Sequence, residues 1–571
     1  MDEKIKAINK KIWDGMMQVA YDKLRLFDTA SVNAENTQKE FLKNLLKDNE
    51  NTEYGKKYGF SDIHNADEYR KKVPLTVYDD YEDYIKRMVS GGENGLITAY
   101  PVVYYASTSG TSGEPKKIPV TDRGLNTFQG FTGNVMRSVI DEFYKNTKNT
   151  VMPYGFMMVP MSAAKKPLEN GVNFGAISAA CVREESIQKL PYVLTTPAAV
   201  LKCTDRANHK YLHTRFGIAN REVTIFSAPY IPALLDMMTY IKDEWEMLVS
   251  DIRNGTIDSA AAMPEELRAE LEAQIKPDPE RADELEREFK KGFDQTIMKR
   301  IWPDLSAICA IWAGNFSSYV NKLREYSGRT VPYYTMSYAS SEGVFGFARH
   351  PFDTSYCMVP QSCFYEFIPV DGKNAEDVQD TLLMEELQEG KEYELVITNQ
   401  SGLYRYRMGD VVRVTGFYNE TPMIEFRYRK KNIVSVAGEK FTEAHLLSAV
   451  REFERRSGVS IIDFCMYPDT STAPGRYVVL LEPDEVIAES KKEEYTKIIA
   501  EELVRASSSY AHYVEIGNMG KPVLKFLQPQ TFRLYRELKM YKAGISENQL
   551  KPVRVLDTPE LVRFFTALEE K

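Results

Sequence analysis

Three short segments of this 571-residue chain combine hydroxyl, carboxylate and cationic side chains in patterns that suit phosphate chemistry. The first runs from Ser107 to Lys117 as STSGTSGEPKK, between two strand-like stretches. Glycines let backbone N–H groups approach phosphate oxygens, hydroxyls add donors, and a lysine adds positive charge. The segment is not a Walker A loop, because Gly113 is followed by Glu114 and Pro115 rather than by a lysine that opens a helix. It predicts a phosphate-binding loop of another kind, with a flexible hairpin turn as the alternative.

The second segment, residues 338–343 (YASSEG), places a carboxylate beside two hydroxyls. Such a group can hold Mg²⁺ through oxygen while one hydroxyl reaches a phosphate, and the tyrosine can stack on a purine. The alternative is a helix N-terminus capped by serine.

The third segment, residues 402–412 (GLYRYRMGDVV), carries Asp410 directly after a glycine and before an apolar strand. A carboxylate in this place can accept two hydrogen bonds from a ribose diol. The alternative is an aspartate in a turn that is bridged to Arg405 or Arg407.

Apolar, β-branched stretches alternate with helical patterns along the chain, which indicates an α/β protein. Examples of the stretches are residues 102–105, 223–226, 308–312 and 393–398. After the turn-rich residues 413–422 the pattern restarts as a smaller α/β unit. We therefore predict an N-terminal domain over 1–426 and a C-terminal domain over 427–571.

The composition is that of an ordinary globular protein, with 43% apolar and 27% charged residues and a net charge of −9. This charge argues against a dedicated nucleic-acid-binding protein. The six cysteines and six histidines form no metal-binding or disulfide motif. No apolar run approaches the ~18 residues of a membrane span, and no secretory signal follows the charged start. We expect a cytoplasmic protein that needs neither a membrane nor an obligate protein partner.

The order of the three segments, ahead of a small terminal domain, resembles the adenylate-forming superfamily of acyl-CoA synthetases and luciferases. Longer stretches are similar to the Gretchen Hagen type of acyl-acid-amido synthetases, and the tyrosine and lysine usage favours a bacterial member. These stretches are 403–415 (LYRYRMGDVVRVT), 315–326 (NFSSYVNKLREY), 438–440 (GEK), 245–257 (WEMLVSDIRNGTI) and 544–554 (GISENQLKPVR). The resemblance covers roughly residues 20–555.

The resemblance implies a large N-terminal adenylate-forming domain, built of β-sheets flanked by helices with a β-barrel part, and a small mobile α/β C-terminal domain. It also implies an enzyme that uses ATP and Mg²⁺ to adenylate a small carboxylic acid. An amino acid amine would then attack the acyl-adenylate, so that an amide, pyrophosphate and AMP are released. Which acid and which amine are used does not follow from the sequence.

The resemblance also implies which residues form the site, because the family's motifs can be matched to positions in this sequence. The phosphates would contact the loop residues Ser109, Gly110, Thr111, Ser112, Gly113 and Lys116. Tyr338 would lie near adenine, Ser341 would contact the α-phosphate, and Glu342 would bind Mg²⁺. Ser340 would belong to the same cofactor-binding segment, Asp410 would bind the ribose hydroxyls, and Arg429 would lie near the hinge and the ribose. The catalytic lysines would be Lys116, Lys440 and Lys551, although Leu550 stands where plant members have tyrosine. The candidates for the acid pocket are Phe128, Phe131, Val135 and Tyr230.

Two other functions remain open from the sequence. One is an acyl-CoA ligase or acyl-protein synthetase of the phenylacetate-CoA ligase kind, which has a similar Ser/Thr/Gly loop. The other is a nucleotide-binding member that has lost catalysis. Against the latter, Glu342, Asp410 and a loop lysine are all present.

Overall fold

The computed structural model describes residues 3–107, 116–160, 165–183, 187–202, 208–294, 296–312, 317–370, 380–429, 441–472, 474–515, 519–543, 550, 552–556 and 558–570. Its contacts divide the chain into two compact units. Unit 1 comprises Met1–Met408 and Val412–Glu425, and unit 2 comprises Gly409–Val411 and Phe426–Lys571. The binding roles and the mobility that the sequence assigned to domains 1–426 and 427–571 stay predictions.

Helices that range from four to 29 residues in length flank the sheets of unit 1. They are α1 Glu3–Ser31, α2 Ala34–Asn49, α3 Glu53–Tyr58, α4 Ala66–Lys72, α5 Glu82–Ser90, α6 Asp122–Gln129, α7 Val135–Lys148, α8 Ile177–Ala180, α9 Ala198–Lys202, α10 His209–Ala219, α11 Ile231–Asn254, α12 Glu265–Glu272, α13 Pro279–Lys290, α14 Ile297–Ile301 and α15 Ser317–Ser327. A π-helical segment, Gly130–Asn134, joins α6 to α7.

The strands of unit 1 form three sheets in the residues that the structure describes. They are β1 Val102–Ser107, β2 Lys117–Thr121, β3 Phe156–Met158, β4 Lys166–Pro167, β5 Asn173–Gly175, β6 Val223–Tyr230, β7 Ala307–Ile311, β8 Tyr333–Tyr334, β9 Tyr338–Ser340, β10 Gly343–Phe347, β11 Tyr356–Met358, β12 Phe364–Pro369, β13 Glu392–Thr398, β14 Tyr406–Tyr418 and β15 Thr421–Arg429. Their orders are β2-β1-β5-β4, β3-β6-β7-β8 and β12-β13-β14-β15-β11-β10-β9. Part of β14 and the end of β15 belong to unit 2.

The parallel sheet β3-β6-β7-β8 is covered by helices on both faces, which explains its nearly continuous apolar strands. Successive side chains of a strand point to opposite faces. Ile308 accordingly packs in the core with α11 and α13, and Cys309 packs in the core with α1 and α7. This arrangement confirms the predicted α/β class.

The first ninety residues are fixed to the seven-stranded sheet by hydrogen bonds across long stretches of sequence. Gln38 Nε2 donates to the carbonyl oxygen of Cys363 at 2.7 Å, and its Oε1 accepts from the Tyr365 N–H at 2.8 Å. Thr76 N donates to Arg405 O at 2.9 Å, and Arg407 N donates to Thr76 O at 2.8 Å. The start of the chain is therefore part of the fold of unit 1.

Unit 2 places helices against a three-stranded sheet. Its elements are α16 Glu443–Ser457, β16 Ile461–Asp469, β17 Arg476–Pro483, α17 Glu489–Ala506, α18 Ser508–Glu515, β18 Val523–Phe526, α19 Thr531–Ala543 and α20 Pro559–Ala567. Strand β17 lies in the middle, antiparallel to β16 and parallel to β18. Thr442 caps α16 through a hydrogen bond from the His445 N–H.

Among the described residues, no helix has both the length and the apolar character of a membrane span. That part of the chain also contains no group of three or more His, Cys, Asp or Glu side chains that could hold a metal ion by themselves.

Candidate active site

The Ser-Ser-Glu segment forms a tight hairpin turn between β9 and β10, in which Ser340 pairs with Gly343. The alternative of a helix N-terminus is therefore wrong. Ser340 Oγ donates to Glu342 Oε2 at 2.6 Å and accepts from the Glu342 N–H at 3.2 Å. Ser340 of the same turn thus holds the Glu342 carboxylate in place.

Two neighbouring segments support this turn. Ser341 Oγ donates to the carbonyl oxygen of Ser107 at 3.0 Å, and Ser107 is the last residue of β1 before the predicted phosphate loop. Asn399 Nδ2 donates to the carbonyl oxygen of Glu342 at 2.8 Å. The structure therefore places the second motif beside the start of the first.

The central loop residues Ser109, Gly110, Thr111, Ser112 and Gly113 lie outside the described residues. The loop's far end is described. Lys116 Nζ lies 4.6 Å from the centre of the Tyr78 ring, and the Lys117 N–H donates to the Tyr78 hydroxyl at 3.0 Å. Burial raises the pKa of Tyr78, so this phenol stays neutral at physiological pH. Tyr78 thus fixes the strand that leaves the loop and receives the Lys116 cation on its ring.

Tyr338, predicted to lie near adenine, is largely buried in a group of aromatic rings. Its ring centre lies 5.3 Å from that of Phe345 and 5.9 Å from that of Tyr356. These contacts fix the ring at the start of the hairpin that carries Ser341 and Glu342.

In unit 2, Asp410 pairs with Arg429, so two predicted nucleotide ligands lie together. Arg429 Nε donates to Asp410 Oδ1 at 2.5 Å, and the Asp410 side chain is 4% exposed. The sequence offered Arg405 and Arg407 as alternative partners of Asp410. Both arginines form ion pairs with other carboxylates.

Those two arginines pair with glutamates of neighbouring strands in unit 1. Arg405 binds Glu366 with both side chains buried, and Arg407 binds Glu394 at 2.8 Å. The sequence suggested local bridges to Asp410. The sheet order instead provides partners 39 and 13 residues away, which corrects this interpretation.

Of the candidates for the acid pocket, three lie on the α6–α7 helical segment and one lies on β6. Phe131 and Val135 are buried in the core with α1, where Phe131 stacks on Phe347 at 6.1 Å, and Phe128 packs at the edge of this core. Tyr230 packs against the core on the opposite face of the parallel sheet. Their assignment to an acid pocket stays a prediction.

The predicted catalytic lysines Lys440 and Lys551 lie outside the described residues. The segment just after Lys551 is fixed on β16, since Met466 N donates to Arg554 O and Leu556 N donates to Met466 O, both at 2.8 Å. Arg554 also donates to Asp463 at 2.5 Å inside the unit.

Sequence reasoning missed Asn399 and Tyr78. The signal for Asn399 was an asparagine at the end of a strand and three residues before a glycine, a pattern typical of a side chain that closes a turn. No sequence signal marked Tyr78, because its contact with Lys117 joins residues 39 positions apart and depends on the tertiary fold.

Similarity to known proteins places the chain in an enzyme class, the ligases that form acyl-adenylates and then amides. Models of the N-terminal, central and C-terminal domains of the GH3 family match residues 23–332, 356–429 and 444–560. The chain belongs to the GH3 family. The family and the amide-forming ligase activity predicted from the sequence are thereby confirmed.

Three similar proteins show how far the likeness extends. The indole-3-acetic acid-amido synthetase GH3.8 of Oryza sativa subsp. indica is 30% identical over 565 residues, which cover 95% of this chain and 91% of the relative. The 4-substituted benzoates-glutamate ligase GH3.12 of Arabidopsis thaliana is 30% identical over 81% of this chain and 80% of its own. The solved structure of the GH3.15 acyl acid amido synthetase superposes with a TM-score of 0.84 at 26% identity, covering 96% of both chains.

Proposed function

We propose that this protein uses ATP·Mg²⁺ to adenylate a small carboxylic acid and transfers the acyl group to the amine of an amino acid. The observation that carries the proposal is the Glu342 turn, which is hydrogen-bonded on one side to Ser107, at the start of the phosphate loop, and on the other to Asn399. Family membership supplies the reaction class.

In the first step, a carboxylate oxygen of the acid forms a bond to the α-phosphorus of ATP and pyrophosphate leaves. In the second, the amine nitrogen attacks the acyl carbon, AMP leaves, and the amine gives up a proton. The first step gathers several anions around one phosphorus, so the protein acts mainly by positioning and by neutralising charge. We assign the positioning of the α-phosphate to Ser341, whose hydroxyl would exchange its bond to the Ser107 carbonyl oxygen for one to the phosphate. We assign the β- and γ-phosphates to the loop that ends at Lys116.

A magnesium ion fits the donors of the hairpin. Mg²⁺ usually keeps several waters and takes one or two carboxylates together with substrate phosphates. Glu342 supplies one such carboxylate, and no cluster of three ligands is needed. When bound, the ion would neutralise phosphate charge, and Glu342 would hold it, with Ser340 orienting the carboxylate through their 2.6 Å hydrogen bond.

We assign the ribose to Asp410 and Arg429, and the adenine to the neighbourhood of Tyr338. A carboxylate has about four acceptor positions, so Asp410 can accept from a ribose hydroxyl as well as from Arg429. The acid is a small carboxylic acid, and aromatic acids are the first choice for a panel because the relatives named above act on indole-3-acetic acid and 4-substituted benzoates.

The test supplies the enzyme with ATP, Mg²⁺ and a panel of acids, and measures pyrophosphate release. Accepted acids are then incubated with either CoA or a mixture of the standard amino acids, and the products are identified by mass spectrometry. An amide with an amino acid is expected. An acyl-CoA product without any amide would replace the proposal by the CoA ligase alternative.

Two variants connect the activity to the site. Glu342→Gln should raise the Mg²⁺ requirement, because an amide oxygen is a poorer ligand for a hard cation than a carboxylate. Glu266→Gln, on an exposed position of α12, is the matched control and should behave as the wild type. Superimposable magnesium titrations for Glu342→Gln and the wild type would remove Glu342 from the metal site.

A further inference from the structure

Residues 399–403, which follow β13, form a compact loop closed by the side chain of Asn399. Asn399 Oδ1 accepts from the Ser401 N–H at 2.9 Å and from the Leu403 N–H at 3.1 Å. Its own backbone N–H donates to Leu403 O at 2.9 Å. With 3% of its surface exposed, Asn399 is a buried part of this loop.

The other end of the same amide reaches the Ser-Ser-Glu turn. Its Nδ2 donates to the carbonyl oxygen of Glu342, a residue 57 positions earlier in the sequence. One face of the side chain therefore closes its own loop, and the other face holds the turn. Because Ser340 accepts from the Glu342 N–H, the peptide groups on both sides of Glu342 are held.

The loop of residues 399–403 is a rigid support for Asn399. Gly402 has φ +92, and a Cβ there would lie 2.7 Å from Ile97 O, so only glycine fits without displacement of the backbone. The Tyr404 N–H donates to the Tyr81 hydroxyl at 2.8 Å, and the Arg405 N–H donates to Thr398 Oγ1 at 2.9 Å. A movement of Asn399 would therefore break several buried hydrogen bonds.

We infer that Asn399 is a positioning residue for the metal step: its Nδ2 bond to the Glu342 backbone sets where the Glu342 carboxylate meets Mg²⁺. The inference rests on the proposed function, because it requires that Glu342 binds the ion. Asn399 itself contacts neither the nucleotide nor the metal in this assignment.

The sharpest variant is Asn399→Asp, which keeps an oxygen for the Ser401 and Leu403 N–H groups and loses the donor to Glu342. Binding of a non-hydrolysable ATP analogue is measured by calorimetry over a range of Mg²⁺ concentrations. We expect the half-saturating Mg²⁺ concentration to rise roughly 2- to 12-fold, as the loss of one hydrogen bond implies. Binding of AMP, measured without Mg²⁺, should stay within about twofold of the wild type on the same hydrogen-bond scale.

Coupling between the two residues distinguishes positioning from a general weakening of the fold. In the Glu342→Gln background, Asn399→Asp should cause no further shift in the Mg²⁺ requirement, because residues that act through one another are not additive. Ser401→Ala, in the same loop, is the matched control and should leave the Mg²⁺ dependence unchanged. Asn399→Ser, too short to reach Glu342, replaces Asn399→Asp if thermal unfolding shows that the aspartate variant is not folded.

The Mg²⁺ titrations of the two variants distinguish a failure of this inference from a failure of the proposed function. If Glu342→Gln raises the Mg²⁺ requirement and Asn399→Asp does not, or if their shifts add, the inference is overturned and the proposed function stands. If neither substitution shifts the Mg²⁺ dependence, the metal assignment of the proposed function fails and the inference fails with it. A lower Mg²⁺ requirement in Asn399→Asp would mean that the new carboxylate itself binds the ion, which also overturns the inference.

Discussion

At the scale of single residues, the Asp410–Arg429 pair combines a buried carboxylate with a guanidinium that is 37% exposed. The exposed side of the pair can face a ligand, while Asp410 is held by its partner. A charged acceptor buried in this way forms stronger hydrogen bonds than a neutral one.

Replacing Asp410 by asparagine should therefore weaken ATP binding while the fold is kept. A hydrogen bond to a charged group contributes about 1.5–3 kcal/mol, which corresponds to a roughly 10- to 150-fold loss of affinity. Calorimetry with ATP measures the effect, and Asp484→Asn, at an exposed position of unit 2, serves as the control. Equal affinities of Asp410→Asn and the wild type would exclude Asp410 from the ribose site.

His445 makes the stability of unit 2 depend on pH. Its Nδ1 accepts from the Thr442 N–H at 3.2 Å, which requires a neutral ring. Burial, and secondarily the charge of Arg427, lower the pKa of His445 below its usual 6.5. The folded state therefore binds fewer protons than the unfolded state, so stability is full above the unfolded pKa and is lost as the pH falls through the folded pKa.

We expect the wild type to lose more stability than His445→Gln when the pH drops from about 7.5 to about 5.5, since this interval contains the usual histidine pKa. Glutamine at this position of a capping box accepts the same N–H without titrating. Urea unfolding at both pH values gives the comparison. A loss of equal size in both proteins would show that another group causes the acid sensitivity.

At the scale of elements, the Arg405–Glu366 pair fixes the start of β14 to β12. Both side chains are at most 1% exposed, and Arg405 Nη1 also donates to the carbonyl oxygens of Arg70 and Val73 at 2.7 and 2.8 Å. Arg405 has φ +46, a left-handed conformation that is costly for a side chain of this size. The ion pair and the backbone contacts hold the residue in that conformation.

Glu366→Gln should thus destabilise unit 1 by about 3–5 kcal/mol, because it leaves a buried guanidinium without its counter-charge. Glu394→Gln is a matched control on the neighbouring strand, since its partner Arg407 is 21% exposed and water can compensate part of the lost charge. Urea unfolding measures both variants. Equal losses would mean that burial does not decide the cost of breaking these pairs.

The same elements show which features could be predicted from the sequence. The parallel strands β6 and β7 were predictable because they are short apolar runs between helical patterns. The partners of Arg405 and Arg407 were not, because they depend on the order of β12, β13 and β14 in the sheet. The hydrogen bonds between Glu342 and Ser340 are local and could be predicted from the sequence. The bonds from Ser341 to Ser107 and from Asn399 to Glu342 could not, because they depend on the tertiary fold.

At the scale of the whole molecule, two half-reactions have to share one nucleotide site. The first needs ATP and the acid, and the second needs room for an amine, so one closed arrangement serves both poorly. We expect unit 2 to rearrange between them, at the μs–ms rates of such motions.

Lys430→Pro, in the segment that follows β15, should therefore impair the two steps unequally because proline fixes φ. The predicted difference is about tenfold or more between the fall in pyrophosphate release and the fall in amide formation, equivalent to roughly 1.4 kcal/mol. Lys430→Ala is the control, since it removes the same side chain and leaves the backbone free. Equal decreases in both steps would argue against a rearrangement at this position.

The hydrogen bonds from Gln38 and Thr76 to residues 363–407 also determine when unit 1 can fold during synthesis. At about 5–20 residues per second, the ribosome needs roughly 15–60 s to reach these partners after the first ninety residues have emerged. Until then, the side of α2 that carries Gln38 and packs on β12 is exposed to a chaperone or to another nascent chain. A protein cut after residue 332, where the match to the N-terminal family model ends, lacks these partners permanently and should accumulate as aggregate.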